Sequence, residues 1–199
     1  MLVSPVTLEG VHARLEPLAK THLEGLTLVG LDEALWRWIP TPVRTHEEMS
    51  GYIEAALNEQ ERGVSMPFAI VEKATGRSIG STRYGNIDRV HHRVEIGWTW
   101  VGTQWQRTAI NTEAKFLFLR HAFESLGCIR VELKTDSLNE RSRAAILRIG
   151  AKEEGIFRNH MITASGRVRH TVYFSIVDSE WPEVKTRLQA KLHTLSSRT

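Results

Sequence analysis

Residues 94–127 read VEIGWTWVG, then TQWQRTAINTE, then AKFLFLRHAFESLG. The first run, 94–102, is apolar and strand-like; the last, 114–127, is amphipathic with a helical period. Residues 103–113 are therefore a strand-to-helix junction. Asn111 or Thr112 suits the helix N-cap, and Glu113 then puts a carboxylate in the first turn. Such a junction holds phosphates well, because free backbone N–H groups and the helix dipole both face the anion. Phosphate loops ordinarily rely on glycines. Here none lies between Gln104 and Glu113, and Arg107 stands in the middle.

Working outward, residues 66–73, 78–85 and 92–101 read as consecutive strands, with Ala74-Thr-Gly76 as a tight turn. Leu8 to Leu18 reads as a first strand on its apolar residues 11, 13 and 15. Short helical stretches follow at 20–29 and 31–38. Thr45-His-Glu-Glu48 is a capping box opening a helix to about Arg62. Beyond the junction, Ile129 to Thr135 alternates as a strand does. A helix at 140–149, strands at 154–163 and 167–177 joined at Ser165-Gly166, and a helix at 179–194 complete the order. The expectation is one mixed α/β domain over 1–199.

The composition, 41% hydrophobic and 25% charged over 199 residues, is that of a soluble globular chain. One cysteine, Cys128, excludes an intrachain disulfide framework and suits a reducing compartment. No signal peptide is evident, and no apolar run reaches the roughly 18 residues a membrane helix needs. A cytoplasmic location is expected. The charge of +3 is uneven: Arg130–Thr199 holds 13 Lys and Arg against 8 Asp and Glu. That suits an anionic ligand or a solvated surface. No basic stripe with interleaved aromatics points to nucleic acid. GxSxG, P-loop, GxGxxG and CxxC motifs are absent. His46-Glu-Glu-Met-Ser is not HExxH, and His91 and His92 on a strand would face opposite ways, so no metal is expected. Cys128, after a helix-ending glycine, reads as a core residue.

A second segment, SLNERSRAAILRIGAKEEG at 137–155, carries chemistry. Ser142, Ala145, Ile146 and Ile149 share a helix face. Asn139 falls at the N-cap, so Asn139 and Ser142 converge with a second helix N-terminus.

Taken in order, EIGWTW at 95–100, Gln104 and its loop, TEA at 112–114, N-x-x-S at 139–142 and RIGAKEEG at 148–155 resemble the GNAT acetyltransferases. The resemblance spans about 8–177 and is greatest to the branch of ribosomal-protein N-terminal acetyltransferases. It implies a mostly antiparallel sheet of about seven strands, flanked by helices, whose fourth and fifth strands splay apart. Acetyl-CoA would lie in that wedge, with its pyrophosphate on a loop of pattern Q/R-x-x-G-x-G/A. Gln104 fits the first position; Arg107 and Ala109 stand where glycines are usual. Either Arg107 adopts the required backbone geometry and adds a charged contact, or it fills the cradle. The implied donor site comprises Trp100, Val101, Gln104, Arg107, Thr108, Ala109, Ile110, Asn111, Thr112, Asn139 and Ser142.

The implied reaction is acetyl transfer to a primary amine, on a protein N-terminus or a small molecule, by direct attack in a ternary complex. The amine must lose a proton before it attacks the thioester. Glu95 is the expected base: it alternates with apolar neighbours and shares a face with Gly97 and Thr99. Many members place a tyrosine acid four residues after the N-x-x-S serine; here that residue is Ile146, which leaves Ser142. Trp36 and Trp38 in LWRWI (35–39) would wall an acceptor pocket or pack, and His160 and Tyr173 would face the same cleft. A homodimer is left open. The competing expectation is a GNAT-like module that binds CoA or another nucleotide without catalysis.

Overall fold

The computed structural model describes residues 1–39 and 41–196. Its elements are β1 (Leu8–Glu9), β2 (Ala13–Pro17), α1 (Leu23–Gly30), α2 (His46–Glu61), β3 (Met66–Glu72), β4 (Ser78–Asp88) and β5 (Arg93–Val101). Then come α3 (Ala109–Arg120), β6 (Arg130–Asp136), α4 (Glu140–Arg148), β7 (Lys152–Ile162), β8 (Val168–Val177) and α5 (Trp181–Ser196). The strands form one sheet in the order β1-β2-β3-β4-β5-β6-β8-β7. Every neighbouring pair is antiparallel except β5 and β6. Parallel neighbours need a crossover connection rather than a tight turn, and α3 supplies it between β5 and β6.

Eight strands replace the expected seven because the run at 8–18 is not one strand. It folds back at Gly10–His12, so that Leu8 pairs with Leu15. The cause is Glu113. Its buried carboxylate accepts the backbone N–H groups of Val11 (2.7 Å), His12 (2.7 Å) and Ala13 (2.6 Å). The residue expected to favour an exposed helix end therefore ties α3 to the first hairpin. Likewise His91 and His92 lie in the β4–β5 turn, not on a strand.

The two sheet faces are covered differently. Val94, Ile96, Val131, Leu133, Phe174 and Ile176 join one core with α3, α4 and α5. On the opposite face Ala69, Val71 and Trp100 pack against Leu26, Trp36, Met49, Tyr52 and Ile53, from α1, α2 and the segment between them. That second core contains no residue of β6, β7 or β8. The α1/α2 side of those strands therefore carries polar and aromatic side chains. No helix among the described residues is long and apolar enough to cross a membrane.

Candidate active site

Strands β5 and β6 pair over three positions only: Arg93 with Arg130, Val94 with Val131 and Glu95 with Glu132. Beyond Glu95 they part. This is the expected wedge, between the fifth and sixth strands in the present count. Among the described residues, the edge of β5 from Gly97 to Val101 has no neighbouring strand on that side.

The junction leads from this open edge into α3. Trp105 is buried and its Nε1 donates to Glu72 Oε1 (2.7 Å). Gln106 donates to Val101 O (2.9 Å) and accepts from Arg141 (2.6 Å). Thr108 is the N-cap: its Oγ1 accepts from Ile110 N (3.3 Å) and donates to Trp105 O (2.7 Å). The helix thus starts three to four residues before the expected caps Asn111 and Thr112, which lie inside it. A threonine with extended backbone won over the later candidates because its hydroxyl closes the turn on both sides. Arg107 has φ +65°, the left-handed conformation for which the family pattern uses glycine. Its side chain is exposed and makes no hydrogen bond or ion pair among the described residues. The backbone geometry is met, then, and the guanidinium does not fill the loop. Gln104 is exposed and Ala109 half-buried.

Most of α3 is buried in the core through Ile110, Glu113, Ala114 and Phe116 to Leu119. Thr108, Asn111, Thr112 and Lys115 are half-buried, and their i, i+3, i+4, i+7 spacing makes them one polar stripe. Lys115 Nζ donates to Thr99 Oγ1 (2.8 Å), which in turn bonds Thr82 Oγ1 (2.7 Å). No ion pair of Lys115 exists among the described residues. Burial of its ammonium lowers the pKa from 10.5 to about 7, against a smaller raising effect of Glu95.

Glu95 is 2% exposed. Its Oε2 accepts from Asn86 Nδ2 (2.6 Å) and pairs with Lys134 Nζ (2.8 Å). A bulge follows it. Ser81 pairs with Trp100 and Arg83 with Gly97, so Thr82 opposes two residues, and Trp98 has φ +50°. The bulge corrects one expectation: Thr99 turns to α3, and Trp98 takes its place on the Glu95 face. The Trp98 ring lies under Arg83 (5.2 Å) and beside Lys134 Nζ (5.8 Å). Tyr173 stands on the other side of Lys134 (5.9 Å). Tyr173 packs on Phe157 (4.4 Å) and meets His160 (5.8 Å). Beside this group opens a cavity of about 710 Å³, bounded by Asn86, Arg93, Arg130, Glu132, Phe157 and Tyr173.

In α4, Asn139 is the N-cap, its Oδ1 accepting from Ser142 N (3.1 Å). Ser142 is half-buried, while Ile146 and Ile149 enter the core. The two tryptophans separate. Trp36 is 3% exposed, packed between Tyr52 (5.7 Å) and Trp100 (5.4 Å), with Nε1 donating to Gly30 O (2.7 Å). It is a packing residue. Trp38 is half-buried, between the guanidinium groups of Arg37 (5.0 Å) and Arg167 (5.8 Å), and so reaches the β7–β8 hairpin. The Trp100 side chain is in the same core as Trp36, which leaves its backbone for the wedge. Cys128 is buried, and burial pushes its thiol up to about 11.

Sequence reasoning missed Asn86, Trp98, Lys115 and Lys134. Lys134 was findable: parallel pairing of Glu95 with Glu132 puts a residue two further along β6 on the same face. Lys115 follows from the helical wheel once α3 starts at Ala109.

The family model of the acetyltransferase (GNAT) domain matches residues 12–152. A crystal structure of a GCN5-related N-acetyltransferase from Brucella melitensis superposes with a TM-score of 0.89 at 35% identity, over 96% of this chain and 86% of that one. Mycobacterium smegmatis RimJ, solved in complex with CoA-disulfide, shares the fold with a TM-score of 0.82 at 23% identity, over 94% of this chain and 95% of that one. YdaF of Bacillus subtilis (strain 168), provisionally named a ribosomal N-acetyltransferase, is 34% identical over 106 residues, 53% of this chain and 57% of YdaF. The alignment thus spans little more than half the length of that curated relative. The family match covers the wedge, the junction and the N-x-x-S helix start together, and this chain belongs to the GNAT acetyltransferase family.

Proposed function

We propose that the protein moves an acetyl group from acetyl-CoA to a primary amine, a protein N-terminus or a small-molecule amine, by direct attack in a ternary complex. The observation that carries this reading is the wedge, with the buried carboxylate of Glu95 at its apex. The donor enters along the open edge of β5. Its pyrophosphate takes the first-turn N–H groups of α3, which have no intrahelical partners. Asn139 and Ser142 flank the other side of the wedge.

The acceptor comes from the α1/α2 face. A primary ammonium already sits against Glu95 there: Lys134 Nζ, between the rings of Trp98 and Tyr173. A carboxylate and two aromatic faces are what an acceptor ammonium requires. An acceptor that displaces Lys134 gives its proton to Glu95, directly or through water, and the freed lone pair attacks the thioester carbon. N–H groups beside the bulge hold the oxyanion. The name given to YdaF, a ribosomal N-acetyltransferase, favours a protein amine over a small molecule as acceptor.

Release of free CoA from acetyl-CoA, measured against a panel of amines and N-terminal peptides, tests the reading. Glu95→Gln keeps the shape and removes the basicity, so turnover should fall roughly 10²–10⁴-fold with acetyl-CoA affinity unchanged. Tight acetyl-CoA binding without turnover on any amine would instead mark a non-catalytic binding module. A Gln variant with normal turnover across pH removes Glu95 from the mechanism.

A further inference from the structure

A step remains without a residue. When the tetrahedral adduct collapses, the C–S bond breaks and its electron pair leaves on sulfur. The thiolate must then gain a proton. Ile146, where related enzymes place a tyrosine, is apolar and buried. Ser142 lies at the opposite flank, and a serine hydroxyl can relay a proton but is a poor acid.

We propose that Lys115 is the proton donor to the departing thiolate, an inference that rests on the acetyl-transfer reading above. Three observations place it. Lys115 is the last member of the polar stripe Thr108, Asn111, Thr112, Lys115, which starts at the turn assigned above to the pyrophosphate and runs along α3. Its Nζ is held by Thr99, four residues beyond the last β5–β6 pair and therefore on the open edge of the wedge. Thr99 Oγ1 reaches Gly97 O (3.4 Å) and Thr82 Oγ1 (2.7 Å), so the ammonium is tied to the bulge that turns β5 away from β6. Its Nζ bonds Thr99, whose hydroxyl bonds Thr82; Tyr84 is spent on Phe118 O (2.6 Å), and Glu95 is the charged group whose field reaches it.

Taking an ammonium partly out of water without a carboxylate partner is costly, and the group responds by giving up its proton more readily. With a pKa of about 7 it is close to the value that makes a general acid most effective at neutral pH. The balance closes. The acceptor ammonium loses two protons in becoming an amide, Lys115 gives one to sulfur, and one of the two returns to Lys115 through solvent. One proton leaves with free CoA and the amide.

The test is the pH dependence of kcat, with acetyl-CoA and the best amine of the panel, for wild type, Lys115→Met and Lys115→Arg. Wild type should lose rate as pH rises through about 7. Lys115→Met should be about 10²-fold slower with that limb absent, and should bind acetyl-CoA within a few-fold of wild type by calorimetry. Lys115→Arg, which stays charged, should move the limb to higher pH. A Met variant with wild-type kcat and an unchanged limb overturns the assignment while leaving acetyl transfer standing. Wild-type protein that neither binds acetyl-CoA nor releases CoA overturns both.

Discussion

At Arg107 the chain accepts a left-handed backbone in a residue with a Cβ, which costs roughly 1–2 kcal/mol relative to glycine. The side chain returns nothing to the unliganded fold, since it reaches no partner among the described residues. Alanine would keep the strain and glycine would relieve it. Arg107→Gly should therefore be more stable than Arg107→Ala by about 1 kcal/mol in chemical denaturation. If the guanidinium forks a donor phosphate, Arg107→Ala should weaken acetyl-CoA by about 1.5–3 kcal/mol, less so at high salt. Equal affinity of Arg107→Ala and wild type would show an arginine that is tolerated and not used. Lys115 carries a second cost. Its folded pKa of about 7 lies below the 10.5 of an exposed lysine. Between those values the unfolded chain holds a proton that the folded chain has given up. Rising pH thus stabilises the fold across this window, and stability falls as pH drops toward 7. The melting temperature of wild type relative to Lys115→Met should climb from pH 7 to 10; a flat difference would show that the amine is solvated.

Among the elements, α3 is fastened twice within its first two turns, by different means. Thr108 caps its start, and Glu113 accepts three backbone N–H groups from the β1–β2 turn. Glu113→Gln keeps one acceptor oxygen and loses the charge. It should cost about 2 kcal/mol in chemical denaturation, the range for hydrogen bonds to a charged group, and an unchanged midpoint would refute that role for the carboxylate. Nothing near Glu113 in sequence announces this, because its partners lie about one hundred residues earlier. The element order was legible for the opposite reason: alternation at 94–101 and 130–135 and a helical period between them are local patterns, and a crossover helix is the connection that parallel neighbours need. The bulge was not legible. A tryptophan at φ +50° breaks no hydrophobic pattern, yet it moves Thr99 to the α3 face and changes which residues flank Glu95. Asn139 was readable as a cap since its target, Ser142 N, is three residues away.

Over the whole molecule, a donor that binds only the folded form stabilises it by mass action. At one hundred times its dissociation constant acetyl-CoA should add about 2.7 kcal/mol, visible as a raised melting temperature. No shift at millimolar acetyl-CoA, with no heat of binding, would count against the donor site itself. Adenosine 3′,5′-bisphosphate, which lacks the pantetheine arm, should give a smaller shift.

The three-pair contact between β5 and β6 has a further meaning for how the protein moves. The sheet is two panels, β1–β5 and β6–β8–β7, stitched at one end and open at the other. An extended ligand lying in the gap would act as a temporary ninth strand, lending its amide groups to backbone that is otherwise left to water. A donor lying there would close the seam. Amides along Gly97–Val101 should then exchange with deuterium more slowly, while those of Arg93–Glu95, already stitched, should not change.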